Sequence, residues 1–359
     1  MTVQTIIIYL LTGCLCYVLA RKAAKYEDKC RVMLIVMILS AVSGLRSYSV
    51  GIDTQTYARI LENIVNGDFM YAYGVEESFK YICYAMMMIC KNPTWMFIVL
   101  AFVTNGFIVF RLWECREFAD FKYSFACYYA VFFFMTMNIC RQFAAVAIVF
   151  WATRFIFSKE YWKFIAVVLI SALIHTSSMV GMLFLAFQIV YWKYLNARQK
   201  VFIVCGVMLS PIGIFMLFNG VKHYGDYLLV DKGAIGIMLF IKLFVYALSL
   251  LITKRIIVSE PNDKVLMNKK YKLQSVSFYY FIGIIITFLG YLFPYVDRIG
   301  LYFYLFEGVH IGKTITFTNS VSNRQCFVFI ETIILLYYFI SSLVSGAQGV
   351  VPYLFIWQS

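Results

Sequence analysis

Apolar blocks long enough to form membrane-crossing helices recur from one end of the chain to the other, separated by short polar intervals. A hydrocarbon core about 30 Å thick is crossed by about 20 residues of helix. The blocks lack the strict alternation of barrel strands, and backbone groups in lipid have to be satisfied within their own segment. The pattern therefore predicts an all-α, polytopic membrane protein folded as one transmembrane domain over residues 1–359. Eleven spans are expected, at 4–20, 32–45, 94–110, 123–138, 142–157, 161–175, 177–191, 201–218, 235–252, 273–293 and 325–343. Between the second and third, FKYICYAMMMIC (79–90) is apolar but short, with Glu76, Glu77, Lys80 and Lys91 around it. Such a piece predicts an interfacial or re-entrant helix.

Whether 79–90 crosses decides the side of every later loop, and the positive-inside rule chooses between the options. If it does not cross, the cation clusters Arg21–Arg31, Arg111–Lys122, Arg154–Lys163, Lys193–Lys200 and Lys254–Lys272 share one side. The opposite side keeps scattered cations such as Arg46, Lys80, Arg141 and Arg298. The first side is then cytoplasmic, the N-terminus lies outside and the C-terminus inside. Loops 46–93 and 294–324 become wide outer loops. Composition agrees: 63% of residues are hydrophobic and 14% charged, which leaves no room for an ordinary soluble domain. The net charge of +13 then reads as a topological signal, so no nucleic-acid partner is expected. Leu11–Cys14 looks like a lipoprotein cleavage box, but no basic stretch precedes it, and signal cleavage is not expected. The ten cysteines lack paired zinc spacing and read as reduced core residues.

Polar residues that gather at the outer boundary are the candidates for chemistry. Arg46, Arg141 and Arg298 each end an apolar run, where a guanidinium can snorkel to water or grip phosphate oxygens bidentately. Gln142 follows Arg141 in a turn only a few residues long. His175 separates two spans and can act as a base, donate to an anion, or bond a neighbouring helix. Asp53 can act as a general base or cap a helix starting near Thr54. Tyr48, Tyr57, Tyr71 and Tyr73 are available to stack on sugar rings. No Gly-rich nucleotide loop, HExxH, EF-hand loop or His/Cys cluster is present, so no metal and no cofactor are expected.

RSYSVGIDTQTY (46–57) resembles the R-x-x-x-V-G-x-D-x-x-x-Y element of the EpsG-like, Wzy-type bacterial polysaccharide polymerases. RQFAA (141–145), IHTSSM (174–179) and DRIGLYF (297–303) are similar to the later elements of that family, in the same order, over about residues 30–305. The aromatic that usually follows the Asp is Thr54 here. The resemblance implies GT-C-like architecture and a metal-independent glycosyltransferase at the outer face of the inner membrane. It would join undecaprenyl-diphosphate-linked oligosaccharide units into O-antigen, capsule or exopolysaccharide, with a flippase and a chain-length regulator of the same pathway as partners. Arg46, Tyr57, Arg141, Gln142 and Arg298 would bind the substrate, and either His175 or Asp53 would be the base. A flippase or transporter would need a polar path through the bilayer. A membrane acyltransferase would need an inward-facing site, and a non-catalytic scaffold would need neither.

Overall fold

The computed structural model describes residues 2–68, 75–188, 237–253, 264–292, 296–346 and 348–358. The expected span 201–218, the cluster Lys193–Lys200, part of the cluster 254–272, Tyr71 and Tyr73 lie outside the described residues. Among the described residues the elements are helices, with no strand. The first five are α1 (Val3–Tyr26), α2 (Lys29–Gly44), α3 (Thr54–Val65), α4 (Glu77–Ile89) and α5 (Pro93–Glu114). Then come α6 (Phe121–Cys127), a π-helical turn (Tyr128–Phe132), α7 (Phe133–Asn138), α8 (Cys140–Phe157) and α9 (Tyr161–Ala172). A 3₁₀ turn (Thr176–Gly181) leads to α10 (Met182–Ala186). The last are α11 (Ile237–Ile252), α12 (Lys264–Leu292), α13 (Val296–Tyr304), α14 (Phe306–Phe317) and α15 (Val321–Ser345).

Local sequence sets several helix starts. Asp28, Asn92, Asp120 and Ser320 each accept a backbone N–H of the first turn they precede, and Pro93 occupies the first turn of α5. Among the described residues five helices, α1, α5, α8, α12 and α15, are long and apolar enough to cross a membrane. α8 is apolar on every side and is buried almost throughout, at the centre of the core with α5 beside it, as expected of a helix without a polar face.

One end of this bundle gathers the segments that carry the candidate residues. Ser47 N–H donates to the Leu354 carbonyl at 2.8 Å, Gly51 N–H to the Gly349 carbonyl at 2.7 Å and Tyr353 N–H to Thr5 Oγ1 at 2.9 Å. The start of α1, the loop 45–53 and the C-terminal segment therefore share a face. Both ends of α4 meet that face too: Ser78 Oγ donates to the Leu173 carbonyl at 2.8 Å, and Asn92 Oδ1 accepts from the Tyr48 hydroxyl at 3.2 Å. α4, 13 residues long, lies along the face. Phe79, Cys83 and Met87 pack inward while Tyr81, Met88 and Ile89 remain exposed.

The stretch 294–324, expected as an outer loop, instead folds into α13 and α14 and returns along α12. Successive contacts pair Gly290 with Asp297, Gly283 with Tyr304, Tyr280 with His310 and Lys269 with Phe317. This extra traverse explains why the C-terminus sits beside Arg46 and not, as expected, at the opposite end. Polar residues hid it. Glu307, His310 and Lys313 lie on α14, all buried, and Lys242 on α11 reaches both carboxylate oxygens of Glu307 at 2.6 and 2.7 Å. Tyr280 donates to Glu307 at 3.1 Å, Ser249 Oγ lies 2.7 Å from His310 Nε2, and Lys313 donates to Ser277. Lys242 and Lys313 are both buried cations.

Candidate functional site

The loop between α2 and α3 is built around Arg46. Its Nε donates to the Val50 carbonyl at 3.1 Å, one terminal nitrogen to the Ser43 carbonyl, and the other to the Met137 carbonyl at 2.7 Å and Thr54 Oγ1 at 3.2 Å. The guanidinium also covers the Phe97 ring, 5.0 Å from its centroid, and the residue is 2% exposed. Thr54, which stands where an aromatic was expected, supplies the hydroxyl for this ring of bonds and passes its own proton to the Val50 carbonyl at 2.7 Å. Gly51 turns the loop with φ +97, and a Cβ there would lie 2.5 Å from Thr54 Oγ1. A side chain is excluded on both counts. Arg46 therefore closes the loop from behind.

The same loop presents Asp53 at the start of α3. Its backbone N–H donates to Asn138 Oδ1 at 3.0 Å, but its half-buried carboxylate makes no capping hydrogen bond. One turn on, Tyr57 feels both Asp53 and Arg141. Burial pushes its phenol well above the ordinary value, so the hydroxyl is a neutral donor.

Arg141 stands in the first turn of α8, 7% exposed, and covers the Phe79 ring. One terminal nitrogen donates to Glu76 Oε2, while its buried Nε has no acceptor among the described residues. Gln142 donates to the Arg298 carbonyl at 3.2 Å and so ties α8 to α13. Arg298 itself is exposed.

His175 occupies the turn after α9. Its Nδ1 accepts from Ser177 N–H at 3.3 Å and lies 2.8 Å from Ser177 Oγ, which is 2.8 Å from the Tyr302 hydroxyl. An Nδ1 that accepts from a backbone N–H leaves the proton of the neutral ring on Nε2. Burial first, then Arg141 and Arg298, hold the His175 pKa below its ordinary value against the pull of Glu76. The imidazole is neutral at pH 7.

Glu76, which the sequence marked only as a flanking charge, joins these pieces. Besides Arg141, its carboxylate accepts Thr176 N–H at 2.9 Å and Thr176 Oγ1 at 3.1 Å, and it lies 3.9 Å from His175 Nδ1. Burial works to raise its pKa, but the Thr176 N–H, its own backbone N–H, Arg141 and His175 outweigh that and hold it below the usual carboxylate value. An acid at the end of a polar interval gives no sequence signal for this, because its partners lie 65 and 100 residues away. Arg141 and the His175 turn thus meet at Glu76, Gln142 joins α8 to Arg298, Arg298 acts on His175, and Tyr57 and Asp53 lie alongside Arg141.

Neither curated proteins nor solved structures gave a match. A family model described as the EpsG family matches residues 30–355. That interval takes in the loop of Arg46 and Asp53, the start of α8, the His175 turn and α13, and it shows that this chain belongs to the EpsG family.

Proposed function

We propose that this protein is a surface-polysaccharide polymerase, working without a metal at the outer face of the bacterial inner membrane. It takes a growing glycan from its undecaprenyl diphosphate and joins it to the sugar end of a new lipid-linked repeat unit. Membership of the EpsG family carries the general expectation of glycosyltransferase-like polymerase activity. The observation that supports the specific reading most is the buried, unpartnered Nε of Arg141 close to a neutral His175 and to Arg298. A buried donor without an acceptor costs about 1–3 kcal/mol, and a diphosphate oxygen would satisfy it.

The chemistry needs two kinds of help. The bond from the anomeric carbon to the diphosphate oxygen breaks while a bond to the acceptor oxygen forms, so negative charge grows on the leaving group. Donors already fixed in place stabilise such charge best. Arg141, Arg298 and the Nε2–H of His175 fill that role. The acceptor hydroxyl must also lose its proton. Between the two candidate bases we assign Asp53, because His175 Nδ1 already accepts from Ser177 whereas no capping bond holds the Asp53 carboxylate. Tyr57 can donate to sugar or phosphate. Glu76 orients Arg141 and the His175 turn, and Arg46 sets the loop that carries Asp53.

A transport reading would draw on Lys242, Glu307, His310 and Lys313, the polar stripe inside the bundle. All four are buried to 5% exposure or less, and Lys242 and Glu307 neutralise each other, so among the described residues they fasten helices together.

The test is complementation of a strain lacking the polymerase with Arg141→Ala and Asp53→Asn, followed by lipid profiling. Loss of long polymer with single repeat units accumulating on lipid supports the reading. Normal polymer from Arg141→Ala at a normal protein level rejects it.

A further inference from the structure

α15 buries only Phe327, Glu331, Phe339 and Leu343 of its 25 residues. It stands off from the bundle and leaves a trough between itself and α1, floored by α6 and the π-helical turn. The trough comprises two adjoining cavities of about 580 and 380 Å³ that share Tyr123 and Thr332. The larger opens at the end of the bundle opposite Arg46, with Lys122 and Arg324 on its rim. The smaller is apolar and continues past Tyr129 and Leu335 to Phe339. Asp120 also lines the rim, but its carboxylate is already engaged. One oxygen accepts Lys122 N–H at 3.2 Å and the other lies 3.3 Å from Lys122 Nζ. Arg324 is exposed and forms no ion pair among the described residues. The rim is net positive.

We propose that this trough binds a membrane phospholipid with an anionic head group, its phosphate at Arg324 and Lys122 and one acyl chain along the apolar part. The dimensions suit it. From Arg324 to Phe339 the helix rises about 22 Å, more than the roughly 15 Å depth of one leaflet's hydrocarbon. Lipid tails gain little by leaving other lipid tails, so selectivity has to come from the head group. With Lys122 half-neutralised by Asp120, a preference of about five- to tenfold for an anionic over a zwitterionic head is expected. The head-group end of the trough lies at the opposite end of the bundle from Arg141, and the proposal owes nothing to the proposed glycosyl transfer.

The experiment uses the full chain reconstituted in equal mixtures of phosphatidylglycerol and phosphatidylcholine, extracted gently, with retained lipid identified by mass spectrometry. Wild type should keep phosphatidylglycerol about fivefold over phosphatidylcholine. The double variant Lys122→Ala/Arg324→Ala should bring the ratio to about one, and Thr332→Trp, which blocks the junction of the two cavities, should lower both lipids. Equal retention by wild type, or an unchanged ratio in the folded double variant, overturns the proposal. So does a polyprenyl phosphate as the species lost from Thr332→Trp, or a dimer that this substitution dissociates without changing retained lipid. If Thr332→Trp fails to fold, the double variant alone decides.

Discussion

Two arginines that look alike in sequence stand in opposite situations. Arg46 gives its donors to three backbone carbonyls and Thr54, whereas Arg141 keeps a buried donor without an acceptor. Arg46→Lys cannot reach three carbonyls, and each buried acceptor left unpaired costs about 1–3 kcal/mol. It should lower folded protein in the membrane severely, whereas Arg141→Lys should leave protein levels near normal and cut polymer per molecule about 10²-fold; quantitative immunoblots beside polymer assays check both. The His175 ring makes a second prediction. Its pKa lies below about 6.5, so it is neutral above that pH and charges only as the medium is acidified through its lowered value. Charging removes the acceptor that holds Ser177 N–H, so wild-type turnover should fall as the pH drops through that lowered value, below the ordinary histidine range. His175→Gln keeps an N–H donor and cannot titrate, so it should retain a measurable rate and lose that part of the acid limb, while His175→Ala should fall about 10²-fold. A rate for His175→Gln as low as that of His175→Ala would make His175 the base instead of Asp53. At this scale the sequence was legible where polar types crowd into short motifs, which the fold brings to one face. It was silent on Glu76, whose role depends on contacts across the fold.

Helices were read well wherever apolar residues ran unbroken, and the short piece 79–90, expected in the interface from its length and from the distribution of cations, is helix α4. The misreading at α13 and α14 has a physical cause: Glu307, His310 and Lys313 interrupt the apolar run, so a segment whose charges are satisfied internally looks like a loop. A buried ion pair is tolerated when its partners are in place, and Lys242 lies 65 residues before Glu307. The contact that brings α13 close is glycine on α12. A Cβ at Gly290 would stand 2.7 Å from the Asp297 nitrogen, which is backbone and cannot swing aside. Gly290→Ala gains up to about 1 kcal/mol of helix propensity but meets an overpacking cost of about 1–3 kcal/mol, so displacement of α13 wins. Arg298 moves with it, and polymerisation should drop several-fold although no site residue has changed. Gly106→Ala on α5 is the control, because its Cβ would meet only Val36 at 3.9 Å; thermal stability there should hold or rise by about 1 kcal/mol. Equal loss in both variants would detach Arg298 from the effect.

For the whole molecule, charge and shape are independent routes to one orientation. Arg111, Arg154 and Lys122 sit at the ends of helices that begin or finish opposite the loop of Arg46 and Asp53, with Arg111 and Arg154 both on Glu114 at 3.2 and 2.5 Å. The positive-inside rule assigns that end to the cytoplasm. The packing of α4, both of whose ends touch the site face, agrees with the reading in which 79–90 lies in the interface and the later loops keep their sides. The folded chain adds what hydropathy left out: residues 348–358 return beside Arg46, so both termini share the face of the proposed site. A phosphatase reporter that is active only outside the cytoplasm should therefore be active when fused after Ser359 and inactive when fused after Lys122. An odd number of crossings, as the apolar blocks alone suggested, predicts an inactive fusion after Ser359. Active fusions at both points would put the cation-rich loops outside with the site, and would deny glycan transfer at Arg141 and Asp53 the outer face on which lipid-linked units have to be met.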